Sequence, residues 1–336
     1  MSPTTSPEGE LLVGGQALIE GVMMRSPGAY GVAVRRPDGS IAFLRGKVTG
    51  LAKRYPFLKL PVLRGVAVLF QSLALGIRAL NFSAEQAMAE ETGEDKVAAP
   101  APEKQEKQEK SNWAIFGSMS IGVAFGAVVF LLLPLWLTQL AERHLFGGQL
   151  SSLGFNLVDG ALRALFFLGY IFAISRMKDI HRVFQYHGAE HKVVFNYEAR
   201  LPLTVENARA QSRLHPRCGT SFLLFVLLVS ILVFAFIPKT APLLVKFGGR
   251  LLLVPAIAGL SYEVLRFTAK HRAAPLFALL VAPGLALQRI TTQEPTDDML
   301  EVAIAALEEA LREDGLLEDR TTPRVAADPV AVAAAT

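Results

Sequence analysis

His187-Gly188-Ala189-Glu190-His191-Lys192, followed by His215-Pro216-Arg217-Cys218-Gly219, is the stretch on which the reading of this chain turns. Four of the six histidines fall between His181 and His215, and the sole cysteine lies three residues further on. Apolar runs long enough to cross a bilayer flank this polar cluster on both sides. The pattern predicts a polar loop held against a membrane face by the helices around it. Imidazole, carboxylate and thiolate bind divalent transition metals. The cluster is therefore a candidate metal site.

Composition supports a membrane class. The chain has 336 residues, of which 51% are hydrophobic and 19% charged, against about 25% charged in a typical soluble domain. Mean hydropathy is +0.36. The formal charge of +4 is explained by basic residues that flank membrane segments and orient them, so no nucleic-acid partner is expected. A lone cysteine excludes an intramolecular disulfide and fits a reducing compartment. The polar N-terminus has no apolar core of a signal peptide, and no cleaved leader is expected.

Outward from the cluster, the sequence predicts a polytopic α-helical membrane protein. It has about four transmembrane helices, interfacial or re-entrant helices, a small N-terminal β element and a cytoplasmic central loop domain. Residues 1–10 read as a disordered tail and 11–54 as the β element. Within it Tyr30 to Val34 and Ile41 to Leu44 form strands about the turn Arg36-Pro37-Asp38-Gly39-Ser40. Residues 55–84 read as an interfacial or re-entrant helix, because Arg64 and Arg78 are costly inside a bilayer. Residues 85–110 have the composition of a disordered linker. The first two spans lie in 111–175, the polar loop in 176–219 and the last two spans in 220–268. Residues 269–290 hold prolines in an apolar run and read as interfacial or re-entrant. A cytoplasmic amphipathic helix follows in 291–319, with Met299, Val302, Ala303, Ala306, Leu307 and Ala310 as its apolar stripe and Glu301, Glu308 and Glu309 opposite. Residues 320–336 read as disordered.

Basic residues set the orientation. The 176–219 loop carries eight, while the connections 141–160 and 238–249 carry one and two. The positive-inside rule places the loop in the cytoplasm of a bacterial plasma membrane, and four spans place both termini there too.

Within the loop, a helix running past Glu190 puts His187 and His191 on one face with Glu190 beside them. His-x-x-Glu-His is the inverted zincin order, in which two histidines hold zinc and the glutamate activates water. Ending that helix at Gly188, with a strand from Lys192 to Tyr197, would break this geometry. His215 and Cys218 have the spacing of a tight-turn ligand pair. One candidate metal set is His187, His191, His215 and Cys218, with Glu190 as the catalytic group. Another uses Glu190 as a ligand and leaves a water position open. Thr204 is read as the cap of a short helix reaching about Arg213. Glu20, Arg25 and Glu263 are candidates for supporting the site, with Glu263 alternatively pairing with Arg266. Arg213 and Arg217 are candidates for anion contact, including anionic lipid headgroups.

The segments Gly14-Gly15-Gln16-Ala17 through Arg25, His187 to Lys192, Glu206-Asn207, His215 to Phe222, and Thr291-Thr292-x-Glu294-Pro295 together resemble the YqhQ-like bacterial membrane family. The likeness runs from about residue 11 to 315. It implies a membrane protein whose central cluster matters. It also implies the label sometimes attached to that family, a predicted metal-dependent enzyme.

Three functions follow as expectations. The first is a metal-dependent hydrolase, zinc being the expected ion, acting on a peptide bond or a lipid-linked ester at the membrane surface. The second is a membrane-biogenesis or assembly factor whose polar cluster is structural. The weakest is a transporter. The expected partners are the lipid bilayer and either a second copy or another membrane protein.

Overall fold

The computed structural model describes residues 13–48, 50–51, 55–88, 117, 120–270 and 275–317. The predicted tails at 1–10 and 320–336, and nearly all of the predicted linker, lie outside the described residues. Four antiparallel strands open the fold: β1 Gly14–Leu18, β2 Gly21–Arg25, β3 Ala29–Arg35 and β4 Ile41–Lys47, in the order β1-β2-β3-β4. The α-helices that follow include α1 Leu63–Met88, α2 Leu133–His144, α3 Ser152–Ile174, α4 Lys178–Glu198, α5 Val205–Arg209, α6 Gly219–Phe234, α7 Leu243–Lys270, α8 Pro275–Thr291 and α9 Asp297–Glu313. A π-helical segment, Val128–Leu132, leads into α2.

The β element is larger than expected. The predicted hairpin is β3–β4, registered Arg35 to Ile41. The glycine-rich stretch before it is a second hairpin, closed by Ile19 and Glu20. Strands β2 and β3 are buried on both faces, so their residues do not alternate in polarity as a half-exposed strand does. One face carries α9 and α4, through a core that includes Val22, Met24, Ala33, Tyr186, Val193, Leu300 and Leu307. The other face carries the C-terminal half of α1, where Leu75, Ala79 and Phe82 meet Leu18, Met23 and Val32.

The stripe predicted on the C-terminal helix is buried as read. Glu309 departs from its predicted acidic face: it is buried and paired with Arg45 and Arg312. Such a carboxylate is tolerated because two guanidiniums replace its water.

The protein is a multi-pass membrane protein. Four helices among the described residues are long and apolar enough to cross a bilayer: Leu63–Ala87, Ser120–His144, Ser152–Ile174 and Leu243–Thr268. The predicted third span, α6, has 16 residues, or about 24 Å of helix. That is short of the ~30 Å hydrocarbon thickness. Leu63–Ala87, read from its arginines as unable to cross, meets the length and hydropathy of a span. Its Arg64 is paired with Glu263 of α7. That contact replaces the expected Glu263–Arg266 pair and takes Glu263 away from the histidine cluster.

Within the helical bundle, Asp159 of α3 is fully buried and sits between Arg163 and Arg250. Arg163 also donates to the Ser230 hydroxyl at 2.8 Å. Both guanidiniums lie over the Phe234 ring, at 4.6 and 5.0 Å from its centre. Asp159→Asn would strip the counter-charge from two buried arginines. The expected cost is about 3–5 kcal/mol, read as a large loss of thermal stability in detergent. An unchanged melting temperature would show that the network does not hold α3 to α7.

Candidate metal centre

Helix α4 carries the cluster. It is a separate helix from α3: Met177 is extended and breaks the run after Ile174. It continues through Glu198, so the alternative strand at 192–197 does not form and His187 and His191 share a face. Their ring centres are 4.5 Å apart. Cys218 is the N-cap residue of α6. Its sulfur accepts from the Thr220 amide at 3.4 Å and lies 3.1 Å from Nε2 of His187. The positive end of that helix faces the sulfur.

One ligand atom each from His187, His191 and Cys218 lie within 4.8 Å of one another, the grouping of metal-ligand type found among the described residues. The outer nitrogens explain how the rings are set. His187 Nδ1 is 2.8 Å from the Thr291 carbonyl, and His191 Nδ1 is 2.5 Å from the Arg213 carbonyl. A carbonyl only accepts, so both Nδ1 atoms carry a proton, and Nε2 is the atom each ring turns toward the group. Nε2 of His191 is buried and has no hydrogen-bond partner. An orphaned imidazole nitrogen facing a thiol and a second imidazole is what a metal site looks like when its outer contacts are already made. The residues fit a divalent metal ion.

Glu190 sits beside the group, its Oε2 at 3.7 Å from His191 Nε2 and 4.0 Å from His187 Nε2. Burial pushes its carboxyl up, opposed by His187, by His215 and by the backbone of Gly15. Burial also pushes the His191 imidazole down. A Cβ on Gly15 would stand 2.8 Å from Cγ of Glu190 and 2.5 Å from the Met23 carbonyl. Glycine is required there for the sheet to approach the carboxylate. The β element does underlie the cluster, as expected. Its contribution is a backbone group of Gly15, a role that side-chain reading of the sequence missed.

His215 stands next to the group without joining it. Its ring is 5.6 Å from that of His191. Its Nδ1 accepts from the Arg217 amide at 3.3 Å, and its Nε2 lies 3.6 Å from Glu198. His187, His191 and Cys218 form the tight group, with His215 and Glu190 beside it. Glu20 is elsewhere, bound at the hairpin turn by Arg182 and by Tyr186. Arg25 ends β2 beside Tyr262, its guanidinium pushed down by burial. Arg213 donates to the Thr292 carbonyl and Arg217 pairs with Glu198. Both meet protein acceptors, and Arg217 also lines the cavity beside the group.

The segment from Thr291 to Thr296 straps across α4. Gln293 donates to the Phe184 carbonyl at 2.8 Å, and Lys192 binds Glu294 at 2.6 Å. A Cβ at position 188 would lie 2.1 Å from the Gln293 carbonyl oxygen, so only glycine admits the strap. A cavity of about 450 Å³ opens on the trio, lined also by Val13 to Ala17, Phe184, Arg217 and Leu223.

Fold and site define a class: a multi-pass membrane protein with a buried His/His/Cys group able to coordinate a divalent metal. The chain belongs to the family described as "Protein of unknown function (DUF1385)", whose match covers residues 60–313. It is 40% identical over 314 residues to the "Uncharacterized protein YqhQ" of Bacillus subtilis (strain 168), covering 92% of this chain and 95% of that one. No solved structure matches.

The geometry separates the trio from His215. His187→Ala, His191→Ala and Cys218→Ala should each abolish bound divalent metal in the purified protein, while His215→Gln should keep most of it. Elemental analysis reads both. Loss in His215→Gln equal to that in Cys218→Ala would restore the four-ligand site.

Proposed function

We propose that this protein is a metal-dependent hydrolase working at the cytoplasmic membrane surface, with His187, His191 and Cys218 as metal ligands and Glu190 as the general base. One observation carries the reading. Both histidines are anchored through Nδ1, and their Nε2 atoms meet the Cys218 sulfur beside a buried carboxylate. Two imidazoles and a thiolate favour zinc. Three protein donors leave a coordination position open, as catalytic sites do and closed structural sites do not.

When bound, the ion supplies Lewis acidity and lowers the pKa of a water. The chain's residues do the rest. The Thr291 and Arg213 carbonyls hold Nδ1 of each imidazole and turn its Nε2 toward the group. Glu190 accepts the proton of the attacking water at Oε2 and returns it to the leaving group. Its burial raises the carboxyl above the ordinary carboxylate range, the direction a general base needs. The eight basic residues of 176–219 support a cytoplasmic position for the site and both termini, in a bacterial plasma membrane. The bilayer is the partner this reading requires.

Glu190→Gln should keep the metal and lose about 10²–10⁴-fold in turnover, the usual worth of a general base. Metal content and hydrolysis of a fluorogenic peptide and a fluorogenic lipid ester are measured on the same preparation. Turnover equal to the parent protein's would remove Glu190 from the chemistry.

A further inference from the structure

The strand that supplies Gly15 to Glu190 is an edge strand. β1 pairs with β2 alone, and no other described strand lies on its outer side. Its hairpin loop has two residues, so Leu18 and Gly21 form a hydrogen-bonded pair. Alternation then turns the backbone groups of Gly14 and Gln16 towards β2, and those of Gly15 and Ala17 outwards. The backbone contact between Gly15 and Glu190 agrees with that parity. Gly15 is exposed, and Gly14 to Ala17 line the cavity that holds the trio. A row of outward amides and carbonyls thus runs along the wall of the candidate metal centre. The apolar side chains of Val183, Phe184, Val194 and Leu223 line the same cavity.

We infer that the open edge of β1 takes an extended polypeptide as an added strand and lays one of its peptide carbonyls beside His187, His191, Cys218 and Glu190. This names the substrate class of the hydrolase proposed above and rests on that reading. Backbone groups repeating along a strand are matched by another extended backbone, whereas an acyl ester offers a single carbonyl and no donor. Edge strands are pairing templates unless charge, proline, a bulge or a covering element blunts them; Gly14-Gly15-Gln16-Ala17 has no charge or proline, and although α4 packs on this strand, the cavity runs along it. The incoming chain would pair with the Gly15 carbonyl and the Ala17 amide and carbonyl, the Gly15 amide being met by Glu190, with alternate side chains directed to the apolar wall. Hydrolysis would add water across the peptide bond: the carbonyl carbon gains the hydroxyl, and the proton taken by Glu190 passes to the departing nitrogen.

Ala17→Pro removes an outward amide without removing a bond to β2. Binding is measured by fluorescence anisotropy with full-length Glu190→Gln in nanodiscs loaded with zinc. The probe is a dansylated octapeptide of alternating Val and Lys. Two further probes carry N-methyl groups on one or the other alternate set of amides. The unmethylated peptide and one methylated form should bind alike, the other at least tenfold more weakly. Ala17→Pro in the Glu190→Gln background should weaken the unmethylated peptide by a similar factor. Equal binding of all three peptides, no binding of any, or saturation by fluorescent phosphatidylglycerol in their place would overturn the inference. The methylation comparison holds even where Ala17→Pro disturbs the fold. Metal content separates the two readings. Strand-dependent binding by protein that takes up no zinc would end the hydrolase reading and leave the edge intact. Bound zinc with no strand-dependent binding would do the reverse.

Discussion

Two backbone carbonyls set the centre of this molecule. Those of Thr291 and Arg213 each take the Nδ1 proton of one α4 histidine. They lie 104 and 22 residues beyond the histidines they meet. Each fixes a ring through the nitrogen that a metal would not use. The consequence runs outward into the fold. For Thr291 to reach His187, the strap must pass over α4 against backbone, and Gly188 leaves room for it. For Arg213 to reach His191, the chain after α5 must turn back, and the same turn delivers Cys218 to the start of α6. The candidate metal centre and the closure of the lobe around α4 are thus one set of contacts.

The same economy explains the buried charge. A carboxylate such as Glu190 loses its water on burial and is stable only where protein groups replace it. The sheet provides one at Gly15, and the histidines provide others. Lys192, equally buried, is satisfied by the Arg209 carbonyl at 2.9 Å and by Glu294 at 2.6 Å. Helix α4 is buried along much of its length although its sequence is polar. It can be so because the strap, α5 and β1 reach its polar atoms from three directions.

The histidine geometry was legible because it is local. Residues four apart on a helix share a face whatever surrounds them, and the amphipathic stripe of α9 was legible for the same reason. What failed was non-local. The β1–β2 hairpin hides in Gly14 to Arg25 because strands covered on both faces do not alternate. Glu263 finds Arg64, which is 199 residues away, and no spacing rule prefers that to Arg266 on the next turn. His215 has the right separation from Cys218 for a ligand pair, yet its Nδ1 accepts from the Arg217 amide, its Nε2 turns toward Glu198, and the ring stands outside the group of three. Spacing along the chain allowed that ligand, and the direction the ring takes depends on contacts no spacing rule shows.

Hydropathy meets its limit at α1. The helix is apolar enough to cross a bilayer, yet Leu75, Ala79 and Phe82 in its second half cover the sheet. Ser83 donates to the Ile19 carbonyl, and Gln86 receives a bond from Arg36 at 2.7 Å. Its first turn is tied to α7 through Arg64 and Glu263. Burial against protein and burial in lipid remove the same apolar surface from water, so a hydropathy window reads them alike. Polar residues at its two ends mark the protein contacts: Arg64 meets Glu263 of α7, and Ser83 and Gln86 meet the sheet. The helix therefore serves as the joint between the bundle and the sheet, and through β1 it steadies the strand on which Glu190 rests.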